Sequence, residues 1–138
     1  MTEHTPIPGR TPLPQRPSII VVDDDPEMRE MARVRLERIG YDVWEAPEVS
    51  MVLTLLEKVR AAAILLDIQM PGFGTGIDGL RFLRGDPRWR QLPVIVLTGI
   101  APEKARGFVK DDFITRLLFK PPDWDVVANA LKEMTGRP

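Results

Sequence analysis

Five short apolar runs, each bounded by polar or turn-forming residues, alternate along the chain with segments whose apolar residues recur every three to four positions. The runs have the length and continuity of buried parallel strands, and the segments between them have the period of amphipathic helices. Strands are expected over Ser18 to Val22, Tyr41 to Glu45, Ala62 to Asp67, Pro93 to Thr98 and Arg116 to Lys120. A first helix is expected over Pro26 to Ile39, with Met28, Ala32, Leu36 and Ile39 facing inward. Pro26 suits its first turn and Gly40 its end. A second runs from Val49 to Val59 on a stripe of Val52, Leu55, Leu56 and Val59. A third starts over Asp78 to Leu83, and Gly85-Asp86-Pro87 bends or ends it. Pro102 to Val109 is patterned only faintly and carries Gly107 inside it, and Asp123 to Met134 points Val127, Ala130, Leu131 and Met134 inward.

Strands alternating with helices of this length imply an α/β fold, a doubly wound parallel sheet with helices on both faces and right-handed crossovers. Five strands suggest the order 2-1-3-4-5, in which the first and third strands are neighbours and ligands bind beyond the strands' carboxyl ends. The polar residues at those ends then matter. The first run ends in Asp23, Asp24 and Asp25, the third in Asp67, the fourth in Thr98 and the fifth in Lys120. Side by side, they offer carboxylates, a hydroxyl and an ammonium, a set suited to a divalent cation and a phosphoryl group. Taken singly, each has a plainer reading. Aspartates cap helices, and Asp25 before Pro26 is expected to do so. Thr98 is a common strand residue, and Lys120 could be a solvated edge charge.

Composition narrows the field. The 138 residues suffice for one domain with a core, and 43% hydrophobic with 28% charged residues is ordinary for a soluble globular chain. Nineteen basic against 20 acidic residues leave a net charge of -1, which gives no electrostatic case for nucleic acid or a membrane surface. The lack of cysteine excludes disulfides, thiolate metal sites and a cysteine nucleophile. No apolar stretch has the length of a membrane span and no signal peptide is visible, so the cytoplasm is the expected location. Residues 1–17 hold Pro6, Pro8, Pro12, Pro14 and Pro17 and no apolar period; they are expected to form an extended or disordered tail before a domain at 18–136. His4, the only histidine, lies in that tail. The methionines at helix spacings (Met28, Met31, Met51 and Met134) and Trp44, Trp89 and Trp124 are expected to be packing residues.

VVDDDP, LLDIQMPG, VIVLTG and LLFKPP, in that order at strand ends, resemble the receiver domain of two-component response regulators, including the chemotaxis regulators. The resemblance covers about residues 18 to 135. It implies a flavodoxin-like sheet in the same strand order, so the order and the resemblance are not independent. It also implies that Asp67 is the phosphoacceptor, a nucleophile on phosphorus that becomes an aspartyl phosphate. A Mg2+ ion would be held by Asp24, by Asp23 directly or through water, by Asp67 and by the backbone carbonyl of Gln69. Thr98 would hydrogen-bond a phosphoryl oxygen and Lys120 would pair with the group as a point charge. A cis bond before Pro121 is implied as well. The implied donor is a sensor histidine kinase or a phosphotransfer protein, the output a contact with a downstream protein, and a homodimer is open. Only a few residues follow the last predicted helix, so the output is expected to be a protein contact unless the chain is part of a longer one.

The chain departs from the family in several places. Gly72 to Ile77 stand between Met70-Pro71 and Asp78-Gly79, a longer connection than the family uses. It reads either as a lid beside Asp67 or as a tolerated surface insertion. Leu117 stands where an aromatic often couples to the threonine, Gly99 and Pro122 replace more usual residues, and Lys110-Asp111-Asp112-Phe113 lacks the usual turn before the fifth strand. The region of the fourth helix is therefore expected to be irregular. Two rivals remain: a phosphorylation-independent interaction module on the same fold, and an aspartate-nucleophile phosphatase resembling the haloacid dehalogenases. The second would place the nucleophile at Asp23 of Asp23-x-Asp25, but Pro26 and Glu27 follow where that motif has Gly or Thr.

Overall fold

Each apolar run does become a strand, because alternate side chains along it find a helix-covered face on either side. In a computed structural model of the chain, which describes residues 16–69 and 76–136, the strands are β1 (Ser18–Val22), β2 (Asp42–Ala46), β3 (Ala61–Leu66), β4 (Val94–Thr98) and β5 (Thr115–Phe119). The helices are α1 (Pro26–Arg38), α2 (Val49–Lys58), α3 (Gly76–Gly85), α4 (Pro102–Ala105) and α5 (Trp124–Thr135). All four strand pairings are parallel and the order is β2-β1-β3-β4-β5, as expected. Most of the tail, including His4 and four of its prolines, and residues 70–75 lie outside the described residues.

The sheet's period of two sorts its side chains onto two cores. Ile19, Val21, Ala63, Leu65, Ile95 and Leu97 pack against Met28, Ala32 and Leu36 of α1 and Val127, Ala130 and Leu131 of α5. Ile20, Val22, Ile64, Leu66, Val94 and Val96 pack on the other face with Val52 of α2, Leu80 and Leu83 of α3 and Ala105 of α4. Residues such as Ile19, Ile64 and Ile95 are wholly buried, each worth about 1.5–3 kcal/mol relative to exposure. Because β1, β3 and β4 have helices on both faces, their carboxyl ends are held rigidly, and the polar residues just beyond inherit that rigidity.

Several expectations shift by a residue or more. Strand starts move by one position at Tyr41, Ala62, Pro93 and Arg116, and strand ends at Glu45, Asp67 and Lys120, while the end of β4 at Thr98 is as expected. Ile39 is exposed rather than inward, since α1 stops at Arg38 and Gly40, at φ 108°, turns the chain into β2. Met31 and Met51 are also exposed, on the outer faces of α1 and α2. Trp44, Trp89 and Trp124 pack against the cores as expected. The faintly patterned fourth helix keeps only one turn, Pro102–Ala105, with Phe108 exposed beyond it. Asp112 then accepts from the Ile114 and Thr115 N–H groups to lead the chain into β5. Helix α3 starts two residues earlier than its periodicity suggests, at Gly76. Its last turn carries Arg84, whose half-buried guanidinium donates to the Leu92 and Ile114 carbonyls and to Thr115 Oγ1, tying the far ends of β4 and β5 together.

Candidate functional site

The residues that follow β1, β3 and β5 meet at one end of the sheet. The Asp23 N–H donates to Ala46 O at 3.2 Å and the Asp67 N–H to Val22 O at 2.9 Å, so both aspartates continue the ladder one residue past their strands. That fixes where their side chains begin. Asp23 and Asp67 are each only 4% exposed, while Asp24 faces solvent. One carboxylate oxygen from each of the three lies within 4.8 Å of the others. Asp25 stands apart from them and caps α1 by accepting the Glu27 N–H at 3.0 Å, as expected.

Local hydrogen bonds aim the carboxylates. Asp23 Oδ1 accepts the Asp25 N–H at 2.9 Å, and Asp67 Oδ1 accepts the Gln69 N–H at 2.9 Å. The other oxygens face Lys120, whose Nζ donates to Asp23 Oδ2 at 2.8 Å and Asp67 Oδ2 at 3.4 Å. Lys120 is joined to Pro121 by a cis peptide bond, as the resemblance implies, and its own N–H donates to Thr98 O at 2.8 Å. Thr98 is fully buried, and its Oγ1 accepts the Ile100 N–H at 3.1 Å, which leaves the hydroxyl hydrogen free to turn elsewhere. The Gln69 side chain reaches over Gly99, with Oε1 3.6 Å from where a Cβ on that glycine would lie.

The electrostatics follow from two buried carboxylates and one ammonium. Burial pushes the Asp67 carboxyl above its ordinary value; the Gln69 N–H and the Lys120 charge oppose the shift and the Asp23 charge adds to it. Burial pulls the Lys120 ammonium down, but its hydrogen bond and charge pairing with Asp23, and then Asp67, outweigh that, and the net shift is upward. The protein thus holds Lys120 charged and leaves Asp67 incompletely compensated.

This donor set fits Mg2+. Three carboxylates supply hard oxygens within 4.8 Å of one another, near enough to converge on one ion with small side-chain adjustment, and one face of the cluster is open at Asp24. Three carboxylates against one ammonium also leave net negative charge that a divalent cation would neutralise. Asp23, Asp24 and Asp67 are the residues that would hold it, with the Gln69 carbonyl the expected backbone ligand.

Sequence reasoning missed Arg29. From the second turn of α1 its Nη1 donates to Asp23 O at 2.7 Å and its Nε to Glu45 Oε1 at 3.1 Å, while Arg33 Nε donates to Glu45 Oε2 at 2.9 Å. Edge strand β2 thereby clamps the backbone of the acidic turn. Its only signal in the sequence is spacing: Arg29 and Arg33 lie four apart, on one helix face. Replacing Arg29 by Met is expected to cost about 1–2 kcal/mol, the worth of charge-assisted hydrogen bonds to a carbonyl and a carboxylate. It is also expected to weaken Mg2+ binding several-fold. Urea unfolding midpoints and a Mg2+ titration check both; a variant equal to the parent in each would remove Arg29 from the site's support.

Known proteins resemble this chain in sequence and in fold. The family model described as "Response regulator receiver domain" matches residues 19–132. The chain is 33% identical over 112 residues to the CAI-1 autoinducer sensor kinase/phosphatase CqsS of Vibrio cholerae, a match covering 80% of this chain and 16% of that protein. It is 39% identical over 83 residues to the DNA-binding response regulator MtrA of Mycolicibacterium smegmatis, covering 60% of this chain and 35% of that one. Among solved structures, the signal receiver domain of a signal transduction histidine kinase from Syntrophus aciditrophicus superposes with a TM-score of 0.75 at 27% identity, covering 87% of this chain and 90% of that chain. The chain belongs to the receiver domain family of two-component response regulators. It spans well under half the length of the two curated relatives just named. Among the described residues, no helix is long and apolar enough to cross a membrane.

Proposed function

We propose that the chain accepts a phosphoryl group on Asp67 from the phosphohistidine of a sensor kinase or phosphotransfer protein, in a Mg2+-dependent reaction, and uses the change to alter a protein-binding surface. The observation that carries the reading is the convergence of Asp23, Asp24, Asp67 and Lys120, drawn from three strand ends up to 97 residues apart in sequence. An Asp67 oxygen attacks phosphorus, the bond to the donor's nitrogen or oxygen breaks, and the leaving group departs with that electron pair. Such a transfer needs in-line placement and neutralised charge more than covalent assistance. Lys120, already against Asp67 Oδ2, moves only slightly to pair with a phosphoryl oxygen. Mg2+, when bound, neutralises charge on the acidic cluster and the incoming group. Thr98 turns its hydroxyl toward the phosphoryl oxygens once they are present.

The consequence runs through Thr98 and the segment after it. Leu117 is buried in the same core as Ala105 of α4, and this chain has no aromatic side chain at that position to swing between surface and interior. The Thr98 hydroxyl, its neighbour Gly99 and the single-turn α4 are left as the relay to the face of β5. Incubation with a small acyl phosphate and Mg2+, followed by intact-mass measurement, tests the reading. A labile gain of one phosphoryl group that a chelator prevents is expected. No gain from a folded protein, under conditions that detect slow turnover, would favour a module that works without phosphorylation.

A further inference from the structure

Helix α3 meets the site at its first residue, Gly76. A Cβ built on Gly76 would lie 2.2 Å from the Asp67 carbonyl oxygen, 2.6 Å from Ile68 Cα and 3.0 Å from the Asp67 carbonyl carbon. All three are backbone atoms, so no rotamer change relieves the overlap. Gly76 does not have the positive φ that would by itself require glycine; Gly40 and Gly136 have it. What Gly76 supplies is closeness of approach.

We propose that Gly76 is a positioning residue for the phosphoacceptor: lacking a side chain, it lets the first turn of α3 close on the Asp67–Ile68 backbone and sets the aim of the Asp67 carboxylate and the Gln69 carbonyl. The inference rests on the reading of Asp67 as phosphoacceptor and deepens it. The turn has little slack on its other side. The Asp67 N–H is held by Val22 O at 2.9 Å, and Asp67 Oδ1 by the Gln69 N–H at 2.9 Å. A methyl group at position 76 must therefore push either α3 outward or the Asp67–Gln69 turn aside, by on the order of 1 Å to reach ordinary contact distance. Displacements of that size at reacting atoms cost up to about a hundredfold in rate. Gly85, in the last turn of the same helix, meets nothing within 4 Å when given a Cβ, so it controls for the helix-stabilising effect of Gly→Ala.

The test uses Gly76→Ala and Gly85→Ala in the full chain, with Mg2+ affinity by calorimetry, phosphorylation rate with a small acyl phosphate, and thermal unfolding. For Gly76→Ala, Mg2+ affinity is expected to fall about tenfold and the phosphorylation rate at fixed Mg2+ tenfold or more, with cooperative melting retained and partial rescue of the rate at high Mg2+. Gly85→Ala is expected to match the parent. A Gly76→Ala chain that binds Mg2+ and is phosphorylated like the parent overturns the proposal. One that no longer folds also overturns it, by making the glycine a requirement of folding rather than of aim. A parent chain that takes up neither Mg2+ nor phosphoryl group sinks the receiver reading and the role of Gly76 with it, a result distinct from failure of the variant alone.

Discussion

Asp67→Asn is expected to abolish phosphoryl uptake and, in the same protein, to raise stability by about 1–2 kcal/mol at neutral pH, the usual scale for relieving a functional site of its cost. Asparagine keeps the shape and can still accept the Gln69 N–H, but it brings no charge into a buried position. The pH dependence gives the sign. Burial raises the folded-state value of Asp67, so the folded protein holds this proton more tightly than the unfolded chain does. Below the ordinary carboxylate range both states are protonated and the charge costs nothing. As pH rises from there through the raised folded value, stability is lost, and it stays lost at neutral pH. The advantage of Asp67→Asn should therefore be full at neutral pH and vanish in acid. Unfolding curves for parent and variant across that range check it. A variant less stable than the parent at neutral pH would mean that Lys120 compensates Asp67 fully.

Lys120→Met is expected to act oppositely. It leaves Asp23 and Asp67 facing each other without their cation, at positions only 4% exposed. Breaking a fully buried pair costs about 3–5 kcal/mol; with the Lys120 side chain 26% exposed, about 2–3 kcal/mol is expected here. The sign again follows from the shift. The folded value of Lys120 is raised, so its stabilisation is present at neutral pH and is lost only as pH rises through that folded value, above the ordinary lysine range. Mg2+ should narrow the gap, because a cation on Asp23 and Asp67 replaces part of the missing charge; a ligand at a hundred times its dissociation constant stabilises by about 2.7 kcal/mol. Thermal unfolding with and without Mg2+ reads both effects. Equal melting of parent and variant without metal would show that the lysine contributes nothing to holding the carboxylates. Uptake of phosphoryl by the variant should also slow markedly, since the point charge that meets the group is gone.

The strands and the site were legible for the same reason. A strand buried on both faces needs a continuous apolar run, and a polar residue closing such a run marks a carboxyl end. Asp23, Asp67, Thr98 and Lys120 could therefore be located without any contact being visible in the sequence. Helix bounds were less legible, because an amphipathic stripe does not say where its backbone bonds stop. Ile39 fits the inward face of α1 by period, yet the helix ends one residue before it. Gly76 and Ile77 carry no stripe, so the early start of α3 was hidden, and the close approach of Gly76 to Asp67 depends on a fold rather than on a pattern. Arg29 was hidden in the sequence because its partners, a carbonyl in the acidic turn and Glu45 on the edge strand, are set by tertiary placement. The faintness of the fourth helix, by contrast, was a real signal: Gly107 and the missing turn before β5 leave it one turn long.

Asp67, and not Asp23 or Asp24, is expected to carry the phosphoryl group. Borohydride reduction of the freshly phosphorylated protein converts an acyl phosphate to an alcohol, and peptide mapping then shows which aspartate has become homoserine. Homoserine is expected at position 67 alone. Homoserine at Asp23 would contradict it and point to an aspartate-nucleophile phosphatase, whose acceptor lies at the end of the first strand.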